Sequence, residues 1–234
     1  MAGVETLISI CICTFKRPMM TGQLVEHIQQ ELDLPGPTEL VVVDNDKDEG
    51  AREIVEKHSS DSIPVDYFVE PEQSISLARN KAVSEARGEW IAFIDDDELP
   101  EPDWLVNLYR CARLLDADAI FGPVEPIYSN QCPRWIIDGR FFDKVHYSTG
   151  TEVQRGQTRT SNVLLRRDLI SDRDGPFDPA FGLSGGEDSL LFDGLLEVDE
   201  EIKVVTQDLG RNGQGIRGQK RAVGCPGRFG QDLA

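Results

Sequence analysis

The sequence predicts an α/β fold with a mostly parallel central sheet flanked by helices. Three observations carry that expectation. Strand-like stretches such as ELVVVD are continuously apolar and do not alternate, strand-like and helix-like stretches follow one another in turn, and acids gather where the strands end. A strand covered on both faces has no solvent side with which to alternate, and parallel strands need crossover helices that supply this cover.

Residues 7 to 13 (LISICIC) are apolar and rich in β-branched side chains, and they read as the first strand. The polar turn TFKRP follows, and Pro18 suits the first turn of a helix that runs to about Leu32. ELVVVDND, residues 39 to 46, is the second strand, and residues 48 to 58 form a helix. VDYFV at 65 to 69 is a strand, 74 to 86 a helix capped by Ser74 or Ser76, and WIAFI at 90 to 94 the fourth strand. Right-handed crossovers then place these strands side by side, with ligands expected beyond their carboxyl ends. Thr14, Lys16 and Arg17 end the first strand, Asp44 and Asp46 the second, and Asp95 to Asp97 the fourth.

A helix at about 102 to 115 and a short strand, DAIFGPV, come next. Residues 124 to 158 are rich in proline, glycine and aromatics, among them Trp135, Phe141 and Phe142, and read as an irregular excursion over the open edge of the sheet. TSNVLLRR at 160 to 167 resumes a strand, and GLSGGEDSLLFDGLL at 182 to 196 is a glycine-rich loop opening an amphipathic helix. Trp90 and Trp104 are expected in the core, whereas Trp135 could equally line an acceptor or pack inside.

The net charge of −18 excludes general affinity for nucleic acid, which demands a basic surface. From Gly210 onward five basic residues face one acid, which leaves −22 on the remainder. That last stretch holds seven glycines in 25 residues with little periodicity, and it reads as a disordered basic tail spanning 210 to 234. Cys11, Cys13, Cys111, Cys132 and Cys225 show no CxxC spacing and are expected as reduced thiols. His27, His58 and His146 are scattered. LISICIC is too short to span a bilayer and no basic segment precedes it, so the expected location is cytoplasmic, with peripheral association at the inner face of the membrane left open.

The run FIDDDELPEPDW poses an electrostatic question, because adjacent carboxylates repel unless water or a cation stands among them. A calcium loop of EF-hand type fails, since the sixth residue from Asp95 is Pro100 and the twelfth Val106. A glycine-rich phosphate loop fails too, because CTFKRP contains no glycine. Carboxylates that hold Mn2+ or Mg2+, which in turn holds a diphosphate, remain.

ISICICTFKRP, VVVDND, SISLARNKAVSEARGEWIAFIDDDE, TSNVLLRR and FGLSGGEDSLLF, in that order, resemble the family 2 glycosyltransferases of the GT-A fold over roughly residues 5 to 196. The resemblance implies an inverting, metal-dependent transfer from a nucleotide-diphosphate donor, UDP-sugar in the first instance, to a saccharide or lipid-linked acceptor. It implies base and ribose contacts at Cys13, Thr14, Phe15 and Asp44, and donor contacts at Arg79, Asn80, Asp95 and Asp96. Asp97 is implied as the metal ligand and Asp188 as the catalytic base. Residues 1 to 123 would form the nucleotide-sugar half and 124 to 209 the acceptor half of one domain.

Blander roles stand beside these. Asp188 could be a helix N-terminal acid, though Glu187 suits that better. Asp44, Asn45 and Asp46 could cap the next helix, Arg79 could pair with Glu72 or Glu85, and Glu98 reads as a solvated flank. The family usually continues past its ED helix with a further strand and a late histidine, yet no histidine follows His146, and LFDGLLEV lacks the expected arginine. The compositional break implies an alteration or truncation of the chain after about Leu196. The alternative function is therefore a catalytically impaired nucleotide-sugar-binding protein of the same fold.

Overall fold

The structure, a computed structural model, describes residues 7–128, 132–143, 145, 147–198, 202–207 and 219–223. Strand β1 (Ile8–Thr14) leads through α1 (Pro18–Glu31) to β2 (Thr38–Asp44), and the short α2 (Arg52–Glu56) leads to β3 (Val65–Val69). Helix α3 (Ile75–Glu85) follows, then β4 (Trp90–Asp95), the two-residue β5 (Glu98–Leu99), α4 (Trp104–Leu115) and β6 (Ala119–Phe121). The second half contributes β7 (Val124–Tyr128), α5 (Arg134–Asp138), β8 (Val163–Arg166), α6 (Asp168–Ser171), α7 (Glu187–Val198), β9 (Val204–Thr206) and β10 (Gln219–Val223).

Seven strands form the main sheet in the order β3-β2-β1-β4-β8-β6-β9, and β8 alone runs against its neighbours β4 and β6. The parallel core of four strands is the arrangement the continuous apolar runs predict. Alternate residues of each strand feed two separate cores. Ile8, Ile10, Ile12, Leu40, Val42, Trp90, Ala92 and Ile94 pack with Leu24, Val25 and Ile28 of α1 and Trp104, Leu105 and Leu108 of α4. Cys11, Val41, Val43, Ile91 and Phe93 pack on the other face with Ala78, Ala82 and Val83 of α3 and Leu191, Phe192 and Leu195 of α7. Both tryptophans expected in the core are there.

Three features depart from the sequence reading. The stretch 124 to 158 is not wholly irregular: β7 and α5 lie within it, and Glu152 bridges to Val205. The apolar run VVT, to which the sequence reading gave no element, returns the chain to the sheet as β9 beyond α7, buried beside β6. Within the stretch expected as a disordered tail, Gln219–Val223 form a strand that joins β5 and β7 in a small second sheet; the remainder of 210 to 234 lies outside the described residues, as do Cys225 and His146. Among the described residues no helix is long and apolar enough to cross a membrane, and Cys11, Cys13, Cys111 and Cys132 are free thiols.

Asn162, just ahead of β8, is tied to the start of α4 and to the turn after β6. It is fully buried at φ 54°, accepts from Trp104 Nε1 at 2.7 Å and donates to the Pro123 carbonyl at 2.6 Å. Asn tolerates this left-handed backbone better than other L residues. Asn162→Ala strands the indole N–H and the carbonyl together, and its expected cost is about 2–4 kcal/mol. A lower urea midpoint at unchanged m-value checks this.

Candidate functional site

Register brings three strand ends into line. Thr14 lies opposite Asp44, and Cys13 opposite Asp95, at the carboxyl edge of β2, β1 and β4. Because strand residues alternate between faces, the acids are parted as they leave β4. Asp95 turns to the α3 face and Asp96 to the α1 face, each toward a different arginine.

On the α3 face, the Arg79 guanidinium lies 3.8 Å from Asp95 Oδ1, in direct contact with Glu187 Oε1, and 5.8 Å from the centre of the Phe177 ring. Arg79 therefore meets neither Glu72 nor Glu85. Glu187 is buried, so this pair ties the amino end of α7 to α3. Gly185 and Gly186, at φ 76° and 96°, turn the chain into α7 through a conformation that side-chain-bearing residues resist. Asp188 is half-buried in that first turn; its Oδ2 accepts from the Thr160 backbone N–H at 3.4 Å.

On the α1 face, Thr14 Oγ1 donates to Asp96 Oδ2 at 2.8 Å and sits 2.7 Å from Thr21 Oγ1. Arg17 Nη1 reaches Asp96 Oδ1 at 2.9 Å and Asp97 Oδ2 at 3.5 Å. Burial pushes the Asp96 carboxyl above its ordinary range, against the downward pull of the Thr14 hydroxyl and Arg17. Burial likewise pushes the Cys13 thiol up to about 12 despite nearby Arg79, so it is a protonated wall of the site and no nucleophile. Phe15 is half-buried beneath the Lys16 ammonium at 5.2 Å.

Glu98 corrects the sequence reading. It is fully buried, not a solvated flank, and accepts from the Asp95 backbone N–H at 3.3 Å. The turn folds its carboxylate back under the acidic run. The half-buried Arg159 donates to the Gly122 carbonyl at 2.9 Å; burial lowers its pKa against the opposing pull of nearby Glu98, Tyr147, Asp188 and Asp95. No sequence signal marked Arg159, which lies in a segment without periodicity.

Two predicted residues spend their polar atoms on the fold. The Asp44 carboxylate accepts from the backbone N–H groups of Asp46 and Ala51 at 3.0 and 3.1 Å and from Tyr67 at 2.6 Å. The Asn80 amide clasps the backbone of Phe177, both bonds at 2.8 Å. Asn45 helps position the site more than its predicted capping role suggests: it accepts from Ser74 N–H at 2.8 Å and donates to the carbonyls of Glu70 and Glu72. Ser74, not Ser76, caps α3.

A cavity of about 20 Å³, room for one water-sized group, is lined by Cys13, Arg79, Asp95 and Thr160. A wider cleft of about 650 Å³, lined by Leu7, Pro37, Arg87 and Arg167, opens at the opposite, amino-terminal edge. That is the wrong edge for a ligand of a parallel sheet, and its Arg87 is already paired with Glu39 and Asp66. Among the described residues, no group of three or more His, Cys, Asp or Glu could hold a metal ion unaided. Mg2+ and Mn2+ commonly take only one or two protein carboxylates, so Asp95 and Asp97 are the carboxylates here that could hold such an ion with further oxygen ligands.

A family model described as "Glycosyl transferase family 2" matches residues 9–170. The chain is 36% identical over 194 residues to the succinoglycan biosynthesis protein ExoM of Rhizobium meliloti (strain 1021), covering 82% of this chain and 62% of that protein. It is 29% identical over 155 residues to the glycosyltransferase AglE of Haloferax volcanii (strain ATCC 29605), covering 64% of this chain and 48% of that protein. The crystal structure of S. aureus TarS 1-349 in complex with UDP-GlcNAc superposes with a TM-score of 0.68 at 18% identity, covering 94% of this chain and 59% of that one. The fold is therefore that of a GT-A glycosyltransferase, and the chain spans about half to three-fifths of these proteins' length.

Because its folded-state pKa is raised, Asp96 contributes stability that is full below the ordinary aspartate value of 3.8 and is lost as pH rises through the raised value. Asp96→Asn lacks this loss. Its melting temperature relative to wild type should therefore increase from about pH 4 to pH 7, as thermal unfolding across that range would show.

Proposed function

The chain belongs to glycosyl transferase family 2, and on that premise we propose that it moves a sugar from a nucleotide-diphosphate donor to a saccharide or lipid-linked acceptor with inversion at the anomeric carbon. One observation carries this reading: Asp95 at the end of β4 and Glu187 of the acid pair opening α7 are brought together on one guanidinium, that of Arg79. UDP-GlcNAc and UDP in the TarS complexes support a UDP-sugar donor, and the name of ExoM supports a polysaccharide product.

Thr14, Phe15, Cys13 and Asp44 would form the nucleotide end, with Asp44 acting largely through the loop that its hydrogen bonds shape. Asp97, with Asp95 beside it, would hold Mn2+ or Mg2+, which when bound supplies Lewis-acid neutralisation of the departing diphosphate. Arg79 holds Glu187 and so sets the position of Asp188, while Asn80 fixes the segment at Phe177 that leads to it. Asp188 takes the proton of the acceptor hydroxyl as its oxygen bonds to the anomeric carbon. The bond from that carbon to the donor phosphate breaks, and its electron pair leaves with the nucleoside diphosphate. A single attack from the face opposite the leaving group inverts the centre. Residues 1 to 123 supply the nucleotide-sugar half and 124 to 209 the acceptor half, and a lipid-linked acceptor would bring the protein to the inner face of the membrane.

Turnover of labelled UDP-sugars with Mn2+ tests the reading. Asp188→Asn should lower kcat by about 10²-fold or more with UDP affinity unchanged. Asp97→Ala should weaken Mn2+-dependent UDP binding in calorimetry. UDP-sugar binding without turnover by the wild type would favour the impaired, donor-binding alternative. Absence of binding would overturn both.

A further inference from the structure

We propose that Arg17 is the resident counter-ion of the acidic run, and that by holding Asp97 it makes the divalent cation and the donor diphosphate bind together, not separately. This rests on the nucleotide-sugar reading above.

The Arg17 backbone is pinned. Pro18 follows it and disfavours a helical conformation, so Arg17 stands at φ −128° and ψ 49° just ahead of α1, after Lys16 has turned the chain at φ 54°. Asp96 cannot turn away, because Thr14 holds its other oxygen at 2.8 Å. The guanidinium is thereby kept between Asp96 and Asp97, 2.9 and 3.5 Å from their oxygens, yet half of the Arg17 side chain is exposed and accessible to an incoming anion. Lys16, the adjacent cation, lies over the Phe15 ring.

A cation on Asp97 therefore has a like charge for a neighbour, and the two repel. A diphosphate carries enough negative charge to bind both at once. The repulsion becomes an attraction shared by three partners, and by linkage the cation and the nucleotide tighten each other by one common factor. In this arrangement Arg17 is a positioning residue that selects the cation–diphosphate pair over the bare ion.

The test is titration with Mn2+, followed by the electron paramagnetic resonance of the free ion, with and without saturating UDP. In wild type, UDP should tighten Mn2+ binding by at least about tenfold. Arg17→Gln should bind bare Mn2+ about tenfold more tightly than wild type, with the UDP effect reduced by the same factor; the figure is set by two charges in contact, discounted for the exposure of Arg17. Lys16→Gln, which removes the same charge one residue away, and Arg17→Lys should stay within about twofold of wild type. If wild type binds Mn2+ with UDP but Arg17→Gln binds the bare ion no more tightly, or Lys16→Gln tightens it equally, this inference falls and the donor reading stands. If wild type binds no Mn2+ even with UDP, both fall.

Discussion

Everything at the carboxyl edge of this sheet depends on neutralising the carboxylates that leave β4 together. A buried carboxylate without a partner costs about 3–5 kcal/mol, so three or four in sequence cannot simply be enclosed. The fold separates them by strand alternation and meets each direction with a different cation. Asp95 goes to Arg79 of α3, and Asp96 and Asp97 go to Arg17 ahead of α1. Glu98 folds underneath toward Arg159. The positive charge that the acidic run requires is thus built from three segments far apart in the chain, before any cation is considered.

Helix α3 carries more of this arrangement than its length suggests. Its cap Ser74 donates its backbone N–H to Asn45, which ties it to the end of β2. Its first residues hold the segment before α7: Ile75 N–H donates to Gly182 O at 3.0 Å and Ser76 Oγ to Asp178 O at 2.8 Å, while Asn80 clasps Phe177. A Cβ on Gly182 would fall 1.9 Å from Ser74 Oγ, so the close approach of these segments needs glycine there. Arg79 completes the link through Glu187. One helix therefore relates the ends of β2 and β4 to the acid pair opening α7, and small shifts of α3 would move both.

The opposite edge of the sheet is locked by a second buried acid. Glu39 accepts from Ser9 Oγ at 2.5 Å and from Arg87 N–H at 2.7 Å, and pairs with the Arg87 guanidinium, while Gly88 N–H donates to Ser9 Oγ at 2.8 Å. This network joins the starts of β1, β2 and β4. Their register is thus held at the edge away from the crevice, and the alignment of Thr14 with Asp44 and of Cys13 with Asp95 follows at the other end.

The sequence by itself determined the parallel core and the edge at which the acids gather. Continuous apolar runs ending in acids, each followed by a helical pattern, are local signals that survive without knowledge of any contact. The order of the five motifs likewise indicated the family. Only the tertiary structure decided which acid meets which base. Arg79 and Glu187 are 108 residues apart, Asn80 and Phe177 are 97, and Arg17 and Asp96 are 79, and no local periodicity encodes such pairs. For the same reason Glu98 passed for a solvated flank, the clasp of Asn80 on Phe177 went unseen, and Arg159 drew no notice. Their roles are set by what the fold brings beside them.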